Sequence, residues 1–287
     1  GTAGSIKYDM QMGNGIDPLT AYDFNGNIKK MVHYGYQPTT NSSLLIDDLT
    51  YSYKDNGLSN KLGKVTDAVA TANNLGDFTN GTNTDDDYDY DINGNLTKDQ
   101  NKKISSITYN ILNLPQTITV TDKGTIVYLY DAAGNKLQKQ VTEGSSLKTT
   151  QYVGEMIFEN NVLQHVGMEE GRVRPLIANN QLSSFTFDYF LKDHLGNVRA
   201  MLADNGTVLE ETHYYPFGLS MNGISYKNPN LSLQNKFQFL DREKQGSEFA
   251  DGSGLDMYDL GARFYDPQIG RFGQIDPLTE YMRRWTP

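Results

Sequence analysis

The chain has 287 residues, a formal net charge of -10 and no cysteine. The absence of cysteine excludes a disulfide framework, a zinc–thiolate site and a cysteine nucleophile. The negative charge argues against nucleic acid as a partner, because phosphate binding requires clustered lysine and arginine. No run of apolar residues approaches the roughly 20 that a membrane-spanning helix needs, so we predict no transmembrane segment.

The first recurring feature is a short motif of an aromatic residue, aspartate, two variable residues, glycine and asparagine. It occupies residues 22–27, 90–95 and 130–135, and a looser copy ends at residues 193–197. From residue 90 the aromatic residue returns at 109, 130 and 152, in steps of 19, 21 and 22 residues. A period near twenty residues indicates a repeat architecture. The turn residues that these copies supply are Tyr22, Asp23, Gly26, Tyr90, Asp91, Gly94, Tyr130, Asp131, Gly134, Asp193 and Gly196.

The third copy of the motif shows what each repeat predicts. Residues 125–130 are mostly β-branched or aromatic, which favours a strand. Asp131 can accept from a backbone N–H two residues on, Gly134 supplies a positive φ without steric cost, and Asn135 tolerates the left-handed region. Residues 136–141 then resume as a more polar strand. Each repeat is therefore predicted to be a β-hairpin.

Such hairpins are predicted for about residues 15–67 and again from 88 to 215. A loop rich in Asn, Gly and Thr separates them at 68–84, with a short helical turn at 68–72, and an irregular crossing segment follows at 216–235. A single hairpin cannot bury an apolar face in water, so the hairpins must stack side by side. We expect an all-β fold of tandem hairpins that form a strongly curved, spiralling sheet, a partial hollow shell.

The last fifty residues differ in character from the repeats. They contain Gly-Leu-Asp-Met-Tyr at 254–258 and Ala-Arg-Phe-Tyr-Asp-Pro at 262–267, and residues 278–285 are predicted to form a short helix. We therefore expect residues 1–235 to form a repeat wall and residues 236–287 to form a distinct terminal segment.

In content and order these motifs resemble the RHS/YD-repeat family. The repeats match its Tyr-Asp-x-x-Gly-Asn pattern, and residues 254–278 are similar to its RHS repeat-associated core, in the form common in Bacteroidetes-like sequences. Residues 193–199 and 214–218 are further marks of the family, so the resemblance covers essentially the whole chain. It implies a β-ribbon that spirals into a hollow shell, as in bacterial Rhs polymorphic toxins, the toxin-complex C component and teneurins.

The resemblance also implies a function. In bacterial members the shell encloses a carboxy-terminal toxin, and in several of them the core cuts that toxin free by aspartyl-protease-like self-cleavage. Such a cut needs paired carboxylates, one neutral and one ionised. Asp276 matches the core's first Asp-Pro and is the candidate catalytic residue in a longer parent protein, with Arg271 as a supporting residue. The sequence ends at Pro287, before the second Asp-Pro-x-Gly motif, so we expect no enzymatic activity from this chain itself.

On this resemblance the chain is a structural segment of a bacterial toxin shell, secreted or on the cell surface. Its expected partner is the carboxy-terminal toxin cargo in cis, and a secretion-system component or a second shell chain is a further one. Two alternatives stay open. One is the self-cleaving, aspartyl-type core of a longer parent protein, and the other is a cell-surface module that binds carbohydrate through exposed tyrosines.

Two patterns could suggest a metal or catalytic centre, but each has a simpler interpretation. Residues 89–100 mimic a calcium-binding loop, yet Gln100 stands where a bidentate glutamate belongs. The flanks of this loop are predicted strands, and the repeat already explains Asp91 and Gly94 as turn residues. The histidines follow no ligand spacing, so we predict no metal and no cofactor. They are His33, His165, His194 and His213.

Overall fold

The computed structural model describes residues 8–69, 75, 78–178, 181–229, 231 and 233–276. Antiparallel strands dominate this part of the chain, and consecutive strands pair with one another. The predicted all-β fold of tandem hairpins is therefore confirmed. Most of the predicted helical turn at 68–72, and all of the predicted helix at 278–285, lie outside the described residues. Within the ranges given above, no helix is long and apolar enough to cross a membrane.

The described residues divide into two compact units. The first unit holds the residues up to Ile107, together with Tyr214–Ile224 and the residues from Asp266 onward. Strands β1 to β4 form one antiparallel sheet in chain order, and β5 to β7 pair as a second group. The elements are β1 (Asp9–Met12), α1 (Pro18–Ala21), β2 (Lys30–Gln37), β3 (Ser42–Tyr53), α2 (Lys54–Gly57), β4 (Leu62–Asp67), β5 (Tyr88–Tyr90), β6 (Leu96–Asp99) and β7 (Ile104–Tyr109).

The second unit holds Thr108–His213 and Ser225–Tyr265. Strands β8 to β18 follow one another in a single antiparallel run, and β19 to β21 form a smaller group. The elements are β8 (Pro115–Val120), β9 (Gly124–Tyr130), β10 (Lys136–Glu143), β11 (Ser146–Val153), β12 (Met156–Glu159), β13 (Val162–Met168), β14 (Gly171–Ala178), β15 (Gln181–Lys192), β16 (Val198–Ala203), β17 (Val208–Glu211), β18 (Tyr226–Lys227), the 3-10 turn Phe239–Asp241, β19 (Glu243–Gln245), β20 (Met257–Asp259) and β21 (Phe264–Asp266), after which β22 (Arg271–Phe272) belongs to the first unit.

The core of the first unit recruits the crossing segment that the sequence predicted to be irregular. Tyr215 and Leu219 pack with Ile46 in one buried cluster. The Tyr215 hydroxyl donates to the backbone carbonyl of Tyr34 at 2.9 Å. Burial of apolar surface contributes roughly 25 cal/mol per Å² to stability. This segment therefore stabilises the first sheet as well as connecting strands.

The long sheet of the second unit has a covered face that carries charge. Lys139 on β10 stands opposite Tyr128 on β9, and Arg172 on β14 stands opposite Asp188 on β15. All four side chains are almost fully buried. The chain that follows β18 lies over them, because Arg172 donates to the carbonyl of Gln234 at 3.1 Å and Tyr128 donates to Gln245 at 3.2 Å.

The opposite face of this sheet is open and uncharged. Phe185 on β15 is 51% exposed and Leu129 on β9 is 55% exposed. This departs from the usual half-buried sheet, because charged residues lie on the covered face and large apolar residues face water. The residues at these alternating positions on β9 to β12, β14 and β15 are Val127, Leu129, Gln138, Gln140, Leu147, Thr149, Gln151, Val153, Met156, Phe158, Val173, Pro175, Phe185, Phe187, Tyr189 and Leu191, and none of them is charged.

Candidate functional site: repeat turns and the docked core segment

The repeat motif forms a closed turn built around its aspartate. In the first copy, Asp23 Oδ1 accepts from the backbone N–H groups of Asn25 and Asn27, both at 2.8 Å. The Asn27 side-chain amide donates to Asp23 Oδ2 at 2.8 Å. Gly26 has φ +84° and donates its N–H to the Asp23 carbonyl at 3.1 Å. A residue with a Cβ would be strained at that φ, so the motif requires glycine there.

The other copies repeat this geometry. Asp91, Asp131 and Asp193 each accept from the backbone N–H and the side-chain amide of the asparagine four residues later, over 2.8 to 3.0 Å. The glycines Gly94, Gly134 and Gly196 have φ of +81°, +86° and +85°. Tyr22, Tyr90 and Tyr130 each stand directly before the aspartate of their turn.

The asparagine of the motif does something that sequence reasoning missed. In the third copy the residue with a positive φ is Gly134, and the backbone of Asn135 is not left-handed. Its amide instead locks the aspartate side chain, and the hydrogen bond that Asn135 donates lowers the pKa of the Asp131 carboxyl. A spacing of four residues between Asp and Asn was the available signal.

Turns of the same hydrogen-bond pattern also occur where the motif is absent. Tyr215 N–H donates to the Leu219 carbonyl at 2.8 Å, and Gly218 donates back to the Tyr215 carbonyl at 2.8 Å. Phe249, Gly252 and Ser253 repeat this pairing, each bond at 3.0 Å. Only a glycine three residues after the first turn residue signals these copies in the sequence, and that is too weak to identify them.

In the first unit, residues 266–276 dock onto the repeat strands; we call these residues the docked core segment. The Tyr51 hydroxyl donates to the Ile269 carbonyl at 3.0 Å, and Leu96 N–H donates to the Gly273 carbonyl at 2.8 Å. Ile275 packs on the second repeat turn so closely that a Cβ at Gly94 would lie 2.2 Å from its Cδ1. Gly94 therefore serves both the positive φ of its turn and the approach of this segment.

Arg271 anchors the docked core segment by its planar guanidinium. Its Nη1 donates to the Tyr53 hydroxyl and its Nη2 to the Asn60 carbonyl, both at 3.0 Å, and the guanidinium lies 5.2 Å from the centre of the Tyr53 ring. Burial raises the pKa of Tyr53 to about 12. Asp276, the predicted catalytic carboxylate, is partly buried and directly follows Ile275.

A buried charge cluster joins the docked core segment to the end of β6. Lys102 Nζ lies 3.2 Å from Asp266 Oδ2 and donates to Gln268 Oε1 at 2.8 Å. The Lys102 backbone N–H donates to Asp99 Oδ1 at 3.1 Å. Burial raises the pKa of Asp99 to about 7; the nearby Asp266 charge also raises it, and Lys102 opposes this effect. Sequence reasoning did not single out Asp99, because Asp266, the carboxylate that shares its buried environment, lies more than 160 positions away.

A second buried cluster holds residues 243–259 against the charged face of the second unit. Lys136 Nζ lies 2.6 Å from Glu243 Oε2 and 2.7 Å from Asp259 Oδ2. Lys139 Nζ lies 3.1 Å from Glu248 Oε1 and 3.4 Å from Glu243 Oε1. Burial alone would raise the pKa of Glu243, but the two lysines hold it well below its usual range. Glu243 is therefore ionised at neutral pH.

The remaining candidate residues take structural positions. Asp89, in the calcium-like loop, pairs with Lys54 at 3.1 Å. His33 Nδ1 lies 2.9 Å from Asp47 Oδ2, and both side chains are buried. His213 Nε2 lies 2.8 Å from Glu211 Oε1. Among the residues described above, no three His, Asp or Glu side chains are grouped as a metal site would require.

Known proteins share parts of this sequence. No protein-family profile matches the chain. It is 28% identical over 213 residues to salivary gland surface protein 1 of Aedes aegypti, covering 67% of this chain and 6% of that protein. It is 27% identical over 204 residues to the tRNA3(Ser)-specific nuclease WapA of Bacillus spizizenii, covering 67% of this chain and 8% of that protein. The chain thus spans less than a tenth of either relative.

The fold has a clear counterpart among solved structures. A structure of the Photorhabdus luminescens Tc holotoxin pore that carries a TccC3 variant matches 89% of this chain, with a TM-score of 0.61 and 19% identity, and the match covers 12% of that chain. At this identity the likeness establishes the fold. Together with the Tyr-Asp-x-x-Gly-Asn turns and their order, it confirms the resemblance to RHS/YD-repeat proteins and the hairpin-repeat fold which that resemblance implies.

Proposed function

We propose that this chain is part of a wall that encloses a carboxy-terminal effector within a longer toxin protein. The observation that carries the proposal is the uninterrupted pairing of β8 to β18 in chain order. Each internal strand satisfies the backbone groups of its neighbours, so the run leaves no unpaired edges between hairpins. A wall of this kind can separate a cargo from proteases in solution and from the target of the cargo.

The terminal region supports the same proposal. In the first unit the docked core segment is tied to the repeats by Arg271, Ile275 and Lys102. In the second unit residues 243–259 are tied to the sheet by Lys136 and Lys139. A terminal region that folds back on the repeats would close the wall. We retain residue 235 as the proposed boundary between wall and core, and we propose a secreted or cell-surface bacterial protein.

Protection from protease tests the enclosure. In the full-length protein we expect the carboxy-terminal effector to survive added proteinase K while the native shell is intact, and to be digested once the shell is unfolded in urea. The isolated effector, digested under native conditions, is the control. Rapid digestion of the effector within the intact, folded protein would contradict the proposal.

A second proposal concerns self-cleavage in a longer chain. Asp276 directly follows Ile275, which lies against the second repeat turn, and this neighbourhood supports Asp276 as the candidate carboxylate. An aspartyl-type cut requires two carboxylates, one of them protonated. In a chain that extends to a second Asp-Pro-x-Gly motif, Asp276→Asn should abolish the cleavage product seen on a denaturing gel, with Asp89→Asn as the matched control. Normal cleavage by the Asp276→Asn protein would remove the residue from the mechanism.

A further inference from the structure

The contact between β6 and the docked core segment contains more carboxylates than cations. Asp99 and Asp266 are almost completely buried, at 1% and 4% exposure, and Lys102 contacts both, Asp266 through its ammonium and Asp99 through its backbone N–H. The Lys102 ammonium is committed to Asp266 and to Gln268, both on the docked core segment. Asp99 accepts a hydrogen bond from the backbone N–H of Lys102, not from its ammonium.

Arg271 is a second cation near this contact and acts on Tyr90, but its guanidinium donates to the Tyr53 hydroxyl and the Asn60 carbonyl and not to Asp99. Tyr88 and Tyr90 face it from β5, and burial raises the pKa of both hydroxyls, so they stay neutral at physiological pH. The charge of Asp87 also acts on Tyr88, and Asp87 itself accepts from Val65 N–H at 2.9 Å and lies 3.6 Å from Lys64 Nζ. An additional negative charge on Asp99 would therefore be poorly compensated.

Proton linkage gives the direction of the effect. In the docked state the pKa of Asp99 is raised from 3.8 to about 7, whereas a water-exposed Asp99 would return toward its ordinary value. Between these two values the docked state binds more protons than the undocked state. Docking is therefore most stable below about pH 4, weakens as the pH rises toward about 7, and changes little beyond that.

We propose that Asp99, Lys102 and Asp266 form a proton-dependent latch, which holds the docked core segment tightly in mildly acidic surroundings and loosens it at neutral and alkaline pH. One lysine suffices for one buried carboxylate, and the second carboxylate is tolerated as long as it carries a proton. The latch is a property of residues 266–276 and the β6 end. It does not depend on the chain enclosing a cargo.

Hydrogen exchange of the intact chain tests the latch. Protection factors, which correct for the intrinsic pH dependence of exchange, are measured by mass spectrometry for peptides covering residues 266–276 at pH 5 and pH 8. We expect at least about tenfold lower protection at pH 8, because one unit of pKa difference corresponds to a tenfold change in an equilibrium. Equal protection at both values would overturn the proposal.

Two variants separate the latch from general pH effects. Asp99→Asn places a neutral side chain of the same shape, so the segment should stay protected at pH 8 and lose its pH dependence. Asp89→Asn removes an exposed carboxylate of β5 and should keep the full dependence. A pH dependence in Asp99→Asn equal to that of the parent chain would contradict the latch.

A measurement on the unaltered protein covers the case in which Asp99→Asn fails to fold. The side-chain carboxyl carbon of Asp99, followed by NMR in a carbon-13 labelled chain, should titrate with a midpoint of about 7. A midpoint near the ordinary aspartate value of about 4 would overturn the proposal. Failure of the effector to be protected from protease would leave this result unchanged, so the two proposals can fail separately.

Discussion

The terminal region is held in two places by two different kinds of buried charge. In the second unit, Lys136 and Lys139 face Glu243, Glu248 and Asp259, and every carboxylate has a lysine within 3.4 Å. In the first unit, a single lysine serves a cluster with two carboxylates. In the first arrangement the two lysines hold the pKa of Glu243 well below its usual range, whereas in the second burial raises the pKa of Asp99 to about 7. Similar contacts can therefore give a fixed clamp or a responsive one, depending on the ratio of charges.

The largest effect is expected from breaking the fixed clamp. Lys139→Met removes a buried cation and leaves Glu243 and Glu248 with less compensation, which should lower the free energy of unfolding by about 3–5 kcal/mol. Urea denaturation monitored by far-UV circular dichroism measures this free energy of unfolding. Lys148→Met is the matched control, because Lys148 is more exposed and makes only one long hydrogen bond, at 3.4 Å. A loss below about 1 kcal/mol for Lys139→Met would show that the cluster is not a clamp.

The next effect separates the docked core segment from the turn that supports it. Gly94→Ala and Gly26→Ala both place a Cβ at φ above +80°, at a cost of about 1–2 kcal/mol. Only the Cβ at position 94 meets Ile275, while that at 26 has nothing within 4 Å. We expect Gly94→Ala to cost about 1–3 kcal/mol more and to lower the exchange protection of residues 266–276. Equal effects at the two positions would mean that Ile275 moves aside without loss.

A smaller effect tests how Arg271 anchors the same segment. Arg271→Lys keeps the charge but cannot donate in one plane to both Tyr53 and Asn60. The loss of one or two hydrogen bonds should cost about 1–2 kcal/mol, measured as a lower thermal midpoint. Replacement of the exposed Arg242 by lysine is the control in the second unit. An unchanged midpoint for Arg271→Lys would show that charge alone holds the segment.

The smallest effect concerns the repeat turns, whose pH dependence has the opposite sign to that of the latch. Hydrogen bonds from Asn27 and Asn25 outweigh burial and hold the pKa of Asp23 below its usual value. The stability that Asp23 contributes is therefore present above about pH 4 and is lost as the pH falls through its folded pKa. Asn27→Ala should cost about 1 kcal/mol at pH 7 and less at pH 3. An equal cost at both pH values would argue against this hydrogen-bonded carboxylate.

Local chemistry made part of this molecule predictable. Asp131 and Gly134 signal a turn by their own conformational preferences, and the strands on either side by their β-branched residues, so the all-β hairpin repeat followed from the sequence. The clusters did not. Lys139 lies in a stretch that is predicted to be a polar strand, and nothing within ten residues indicates that it is buried. Its partners, Glu243 and Glu248, are more than 100 positions away, and only the completed fold brings them together.

Asp99 and Asp266 illustrate the same limit. Each belongs to a local context that explains an aspartate, the end of a strand for one and the Tyr-Asp-Pro motif for the other. Their shared environment depends on burial and on the position of Lys102, and neither can be deduced from spacing. The role of Asn135 was missed for a different reason, because asparagine has two common functions in turns and the sequence does not distinguish between them.

The open, uncharged face of the second unit has a consequence for the behaviour of this chain in solution. A net charge of -10 would ordinarily keep molecules apart, but the named positions from Val127 to Leu191 contribute nothing to that repulsion. When the open faces of two molecules come together, water is released and no like charges are brought close to one another. Colloidal stability therefore depends on what shields this face, and a preparation without such a shield should clump at high concentration despite its acidity.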